Sequence, residues 1–423
     1  IHVSNLNMAS KSDEPLPKRK RTTGVISRRW EDFNLYYSEL SKWNRVFGRD
    51  PEYFDFTVLS YNILSQDLLE DNSHLYDHCR RPLLFWSYRL PNILKELVDM
   101  NADILCLQEV QEDHYTTQIK PSLESLGYHC EYKTRTGSKP DGCAICFKAN
   151  KFSLVSVTPV EYYRPNISLL DRDNIGLVLL LRPKSQRVAP VICVANTHLL
   201  YNPRRGDIKL AQLAILLAEI TSVAFTGEKG FCPIVLCGDF NSVPGSPLHS
   251  FIREGRLNYE GLSIGKVSGQ EQYPRGQKIL SIPIWPKSLG ISQNCVYEPM
   301  ENAWNADIRR AVPLSFGLRV EPSLSHHFSL SSVYTHFFPG SGIPEITTCH
   351  SRCALTVDYI FYSAAANDLF AQHTAEWELP NGLQLLGRLS LLTEQDLWSV
   401  NGLPNETNSS DHLSLLAKFR LEI

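Results

Sequence analysis

Short apolar runs that stop abruptly at polar residues recur along the chain, and the polar tips differ each time. FTVLSYN (56–62) ends at Asn62, DILCLQE (103–109) at Glu109, and VICVANTH (191–198) at Asn196 and His198. The run that starts at Ile234 ends at Asp239, with Asn241 two residues on. Two further runs are reversed: Asp358 opens DYIFYS, and Asp411 and His412 open DHLSLLAKF. Apolar runs of this length predict buried strands. Helical spacing instead marks 86–100 and 207–224, where Leu210, Leu213, Ala214, Leu217 and Ile220 form one stripe. Such stripes predict core faces of helices.

If the strands run in mixed directions, the ends of some and the starts of others can meet along one rim. Asn62, Glu109, His198, Asp239, Asn241, Asp358 and His412 are then expected to line one cleft. Asp239 and Asn241, two apart on an extended chain, are expected on the same side. Any one of these residues taken alone is ordinarily a turn residue or a helix cap. As a set they are harder to explain that way, because Gly, Pro or Ser would serve turns equally well. The set holds what hydrolysis requires: a hard carboxylate for a metal, a base, orienting amides and imidazoles.

Composition narrows the class. With 423 residues and 43% hydrophobic content there is material for one large core. No apolar run reaches the roughly 18 residues of a membrane span, and the first residues lack a secretory apolar core. The chain begins at Ile1 rather than Met, so it is read as a fragment whose native amino-terminal targeting stays open. Eleven cysteines, several inside strand runs (Cys106, Cys193, Cys237), point to reduced thiols in cytosol or nucleus. Cys143 with Cys146, and Cys349 with His350 and Cys353, lie far apart without a compact pairing motif, which argues against zinc. A net charge of −3 excludes a uniformly basic nucleic-acid binder. Phosphate must be met locally, and Arg204 and Arg205, just beyond His198, are the best placed of the basic residues, Lys209 among them.

Residues 1–29 read as a disordered basic leader whose PKRKR (17–21) matches a nuclear import signal or a solvated charge run. Recurrent aromatics from Trp30 to Phe54 suggest a helical arm over 30–54. Residues 55–423 are expected to form a catalytic domain, with an insertion around 260–350 at the rim of the cleft.

Seven ordered motifs carry a resemblance: SYNILSQ (60–66), LCLQEV (105–110), DGCAICFK (141–148), NTHLLYNPRRGDIKLAQ (196–212), CGDFNSVPGSPL (237–248), DYIFYS (358–363) and SDHLSLLAKF (410–419). Together they resemble the exonuclease-endonuclease-phosphatase superfamily of magnesium phosphoesterases, in its deadenylase-like branch and most closely the Angel group. The resemblance implies an α/β fold, a four-layered sandwich of two face-to-face mixed β-sheets flanked by helices. It implies Mg2+, with Mn2+ able to substitute, on Glu109 with Asn62 close by. Asp239 would be the base, and Asn241 would orient water or a phosphate oxygen. His412, oriented by Asp358, would hold a non-bridging oxygen, and His198 would be the second imidazole. Asn62, Asn196, Arg204, Arg205 and Asp173 would contact substrate. The implied activity is removal of a 2′,3′-cyclic phosphate from RNA 3′ ends in cytoplasm and nucleus, with no protein partner indicated. A 3′-to-5′ exoribonuclease or deadenylase is the main alternative. A small-nucleotide or lipid phosphatase and a silent RNA- or protein-binding adaptor are further ones.

Overall fold

Alternation with a period of two decides which face each strand buries, and so how the layers stack. The computed structural model describes residues 25–39, 52–185, 187–227, 230–271, 273, 278–299, 321–371 and 382–423. Residues 1–24 of the leader with PKRKR, the arm from 40 to 51 and residues 300–320 of the expected insertion lie outside these; the end of the expected disordered leader is instead docked on the domain, with Arg28 donating to Ser390 O at 2.8 Å and Ser414 O at 2.7 Å. In chain order the elements are β1 (Trp30–Asp32), β2 (Tyr53–Asn62), α1 (Trp86–Met100), β3 (Ile104–Gln111), β4 (Tyr128–Thr134), β5 (Asp141–Lys148), β6 (Phe152–Glu161), β7 (Ile175–Pro183) and β8 (Ile192–His198). They continue with α2 (Gly206–Ala224), β9 (Ile234–Asp239), α3 (Pro247–Glu254), β10 (Arg256–Asn258), β11 (Ser323–Ser325), β12 (Leu330–Ser332), β13 (Thr348–His350), β14 (Cys353–Leu355), β15 (Asp358–Ser363), β16 (Leu383–Leu389) and β17 (Leu415–Glu422).

One sheet has the order β1-β16-β17-β2-β3-β5-β4 and the other β12-β15-β9-β8-β7-β6. Each is mixed, with β2 parallel to β3 in the first and β8 parallel to β9 in the second. Between the sheets lie Phe54, Phe56 and Val58 of β2, Ile192 and Val194 of β8, Val235 and Cys237 of β9, and Ile360 and Tyr362 of β15. The intervening residues face outward: Leu59 and Tyr61 pack with Ile93 and Leu97 of α1. Cys193, Ala195, Ile234 and Leu236 pack on α2. The result is four layers, α1, sheet, sheet and α2, as expected for the sandwich.

Carrying the alternation onward puts Asn62, Asn196, His198, Asp239 and Asp358 on the inner faces, at strand ends where the sandwich opens. Glu109 breaks the rule, since Ile104 and Cys106 face inward and residue 109 should face out. The register with β5 shifts between Leu107 and Val110, and Glu109 has φ +52. This bulge places an extra residue and re-aims the carboxylate into the opening.

Several expectations change. The arm over 30–54 is helical only at 34–39 among its described residues. Its start pairs as an edge strand with β16, and its end already belongs to β2. The strand expected from Asp411 begins at Leu415, because Asp411 O and Leu413 N pair with Cys349 N and Thr347 O in a single antiparallel bridge of His412 to Thr348, and pairing with β2 starts only at Leu415. The stripe on α2 is buried, but so is the opposite face. Ile264, Val267, Leu280, Ile284, Trp285 and Leu289 share a core with α2, so this part of the expected rim insertion packs on the outer helix. Gly206 is what lets it approach, since a Cβ there would lie 2.3 Å from the Val267 side chain.

Asn196 joins the sheets rather than opening to the cleft. Its Nδ2 donates to Leu107 O and Ala144 O, both at 2.9 Å, and its Oδ1 accepts from Gln108 Nε2 at 2.8 Å. Fully buried with its amide so engaged, it is corrected from a substrate contact to an inter-sheet tie. Replacing Asn196 with Ala should lower the unfolding free energy by about 2–3 kcal/mol, because two buried carbonyls lose their donors. Urea unfolding checks this, and a loss below about 0.5 kcal/mol would contradict the tie.

Candidate active site

The side-chain amide of Asn62 connects the two sheets at their open end. Its Nδ2 donates to Glu109 Oε1 at 3.0 Å and to Asp239 Oδ2 at 3.1 Å. Its Oδ1 accepts from Leu64 N at 3.0 Å, which fixes which end of the amide faces the carboxylates. Asn62 therefore presents a donor where a metal would need an oxygen. Its expected place as a metal ligand is corrected to that of a bridge between carboxylates. Ser410 Oγ holds the Asn62 carbonyl at 2.6 Å. The buried Arg89 guanidinium clamps the following turn through Ile63 O, Leu64 O and Gln66 Oε1, and reaches Ser409 O.

Glu109 is half-buried, and its second oxygen accepts from Ser65 N at 3.1 Å. Burial pushes its carboxyl above the ordinary range; His198 and His412 oppose this, and Asp411 and Asp141 add to it. A hard carboxylate in surplus negative charge suits a cation that prefers oxygen ligands.

Opposite it, Asp239 ends β9. Its Oδ1 accepts from Asn241 N at 2.9 Å, and its Oδ2 lies 3.6 Å from His198 Nε2 and 3.9 Å from His412 Nε2. Gly238 just before it has no alternative, because a Cβ would lie 2.1 Å from Thr197 O. Asp358 pairs in register with Asp239 across β15 and β9. Its Oδ2 accepts from His412 Nδ1 at 2.8 Å and from Thr347 Oγ1 at 2.7 Å, while Oδ1 is buried without a partner. Burial raises the Asp358 carboxyl and Asp239 adds to that, while His412 and Thr347 pull it back. For His412, burial alone would favour the neutral ring. The Asp358 and Asp411 carboxylates, with Asp239, overcome it and hold the imidazole well above its ordinary value.

Asp239, Asp358 and His412 each bring one ligand-type atom within 4.8 Å of the others. Because His412 and Asp358 are already hydrogen-bonded to each other, Glu109 is the better oxygen donor for an ion. The structure thus brings together Asn62, Glu109, His198, Asp239, Asn241, Asp358 and His412. Asn241 has φ +44, and its Nδ2 donates to Leu199 O at 2.9 Å. The side chain thus leaves the simple alternation that would set it beside Asp239.

The remaining expected contacts lie at the margin. Asp173 accepts from Thr136 Oγ1 at 2.7 Å and ties down the β4–β5 loop. Arg205 spends two N–H groups on Asp207 at 3.0 Å each, at the start of α2. Arg204 stays exposed, 4.0 Å from Glu271. Residues not foreseen include Gln108, which donates to Asn196 and Ser60. Asp411, held by Tyr76 OH at 2.9 Å, lies 3.8 Å from His412 Nε2. Its place beside His412 in the SDH motif was the available signal. Cys353 Sγ sits 3.3 Å from His350 Nε2 in the β13–β14 hairpin.

A model of the Endonuclease/Exonuclease/phosphatase family matches residues 59–412. Protein angel homolog 2 of Homo sapiens is 66% identical over 439 residues, spanning 100% of this chain and 81% of that protein. Protein angel homolog 1 of Mus musculus is 44% identical over 471 residues, spanning 97% and 69%. A crystal structure of ANGEL2, a 2′,3′-cyclic phosphatase, in complex with adenosine-2′,3′-vanadate superposes with a TM-score of 0.80. It is 68% identical, over 95% of this chain and 100% of that one.

The raised His412 value has a stability consequence of definite sign. A histidine whose value is raised by folding contributes stability that is fully present below its unfolded value, about 6.5. That contribution is lost as pH rises through the raised folded value. Without divalent cation, the His412 imidazole should titrate above about 6.5 by NMR, and Asp358→Asn should move its midpoint down. A wild-type midpoint at or below the ordinary value would contradict the assignment.

Proposed function

Because the chain belongs to the Endonuclease/Exonuclease/phosphatase family, and within it to the Angel proteins, we propose that it is a hydrolase of phosphate esters that removes the 2′,3′-cyclic phosphate from RNA 3′ ends. The chemistry rests on one observation above all: Asn62 holds the Glu109 and Asp239 carboxylates on one amide, at the mouth where both histidines converge. The choice of ester is supported by the likeness to a 2′,3′-cyclic phosphatase solved with a cyclic adenosine vanadate.

We infer a Mg2+ ion, replaceable by Mn2+, held chiefly by Glu109. When bound it would neutralise charge on the phosphate oxygens and lower the cost of forming the nucleophile. The donor set suits it: Glu109 offers hard oxygen, and burial with neighbouring carboxylates raises its carboxyl, a cost that a cation relieves. Asp239 takes the proton of the attacking water, and the main-chain N–H of Asn241 keeps its carboxylate in place. His412, charged and fixed by Asp358, donates to a non-bridging oxygen. His198 serves the leaving oxygen. Two waters are consumed: the first opens the ring to a 2′- or 3′-phosphomonoester, and the second releases inorganic phosphate and leaves both hydroxyls.

Arg204 at the exposed margin supports contact with the RNA backbone. An intracellular location in cytoplasm and nucleus is supported by cysteines that are unpaired and almost all buried. No helix among the described residues is long and apolar enough to cross a membrane.

RNAs differing only at the 3′ terminus test the reading. The cyclic-ended RNA should release inorganic phosphate, and chelation of divalent cations should stop it. Asp239→Ala should fold normally and lose about a thousandfold or more in turnover. Mononucleotides released from a plain poly(A) end, with no phosphate from the cyclic end, would overturn the proposal.

A further inference from the structure

The motif NPRRGDIKLAQ contributes Lys209 and Gln212 to α2, three residues apart and so on one face of the helix. Both are fully buried. Lys209 Nζ donates to the backbone carbonyl of Asn241 at 2.7 Å and to Gln270 Oε1. Gln212 Oε1 accepts from Leu200 N at 3.0 Å, and its Nε2 donates to Asn174 Oδ1 at 3.1 Å. Asn174 Nδ2 in turn donates to His198 O at 3.3 Å. The two polar side chains therefore end on the two loops that carry His198 and Asn241. Those loops are themselves interlocked, through Leu199 N to Asp239 O and Asn241 Nδ2 to Leu199 O, both at 2.9 Å.

An ammonium in this position is expensive. Burial pushes Lys209 down to about 7, with Asp239 pulling the other way. A methionine of similar length would fill the space without that penalty. Asn241, meanwhile, sits at φ +44, in the left-handed region that asparagine tolerates better than other side chains but does not hold without support. The charge-assisted bond to its carbonyl is one of three that hold it, with those to Asp239 and to Leu199 O.

We propose that Lys209 and Gln212 are positioning residues for the hydrolytic step, Lys209 fixing Asn241 through its carbonyl and Gln212 fixing His198 through Asn174. The proposal rests on the phosphoesterase reading, and the two fail differently. An inactive wild type would sink that reading, whereas the comparisons below are made only between active forms.

In Lys209→Met, kcat on cyclic-ended RNA should fall about 10- to 100-fold with KM within about threefold, while Tm stays level or rises. A residue that merely held the fold together would lower Tm instead. Gln212→Leu should cost nothing further in a His198→Ala background, since its effect runs through His198. Should Lys209→Met fail to fold, Gln270→Leu, at a half-buried position, removes the other acceptor of the ammonium. It should give a smaller kcat loss with KM and Tm unchanged. Unchanged kcat in the foldable variants, or a kcat loss in Lys209→Met accompanied by a lower Tm, would overturn the proposal.

Discussion

One amide bridging two carboxylates is the contact on which the rest of the site depends. Glu109 belongs to one sheet and Asp239 to the other, and without a donor between them two like charges would face each other at the mouth of the sandwich. Asn62 lies on the inner face of β2, and its Nδ2 reaches both. The supports around it read as devices to hold that single group: Leu64 N on its Oδ1, Ser410 on its carbonyl, and Arg89 on the turn that follows. Uncharged and small, an asparagine donates to two carboxylates at once without adding a charge of its own.

The second constraint is electrostatic. Glu109, Asp239, Asp358 and Asp411 crowd around His412 and His198, and Asp358 and Asp411 each leave one buried oxygen unpartnered. Such an arrangement stores unfavourable energy that a cation and a substrate phosphate held by protonated imidazole can relieve. Carboxylates crowded around two imidazoles can meet both a cation and the negative charge that builds on phosphate oxygens in the transition state.

Much of this was legible in the sequence, because period-two alternation is strictly kept in β2, β8, β9 and β15. It puts Asn62, His198, Asp239 and Asp358 on inner faces at strand ends, and the abrupt polar tips announced them. Glu109 was found by residue type, yet its direction was not legible. Alternation sends it outward, and only a bulge turns it in. Asn196 looked like the other tips, but lying two residues deeper than His198 put it inside the sandwich, where backbone carbonyls consume its amide. The helix after His198 showed its apolar stripe and hid the more informative fact that its polar face is also buried. That depends on Ile264, Val267, Trp285 and their neighbours in the core packing over it, a contact between segments too distant for local pattern to reveal.

The most direct test of the account is a crystal structure of the protein with Mn2+ and a cyclic nucleoside vanadate, located by anomalous scattering. The account predicts a manganese peak in contact with the Glu109 carboxylate, with the vanadate between it and the Asp239–His412 pair and an oxygen on the His412 imidazole. A manganese peak away from Glu109, or a vanadate touching neither Asp239 nor His412, would contradict it.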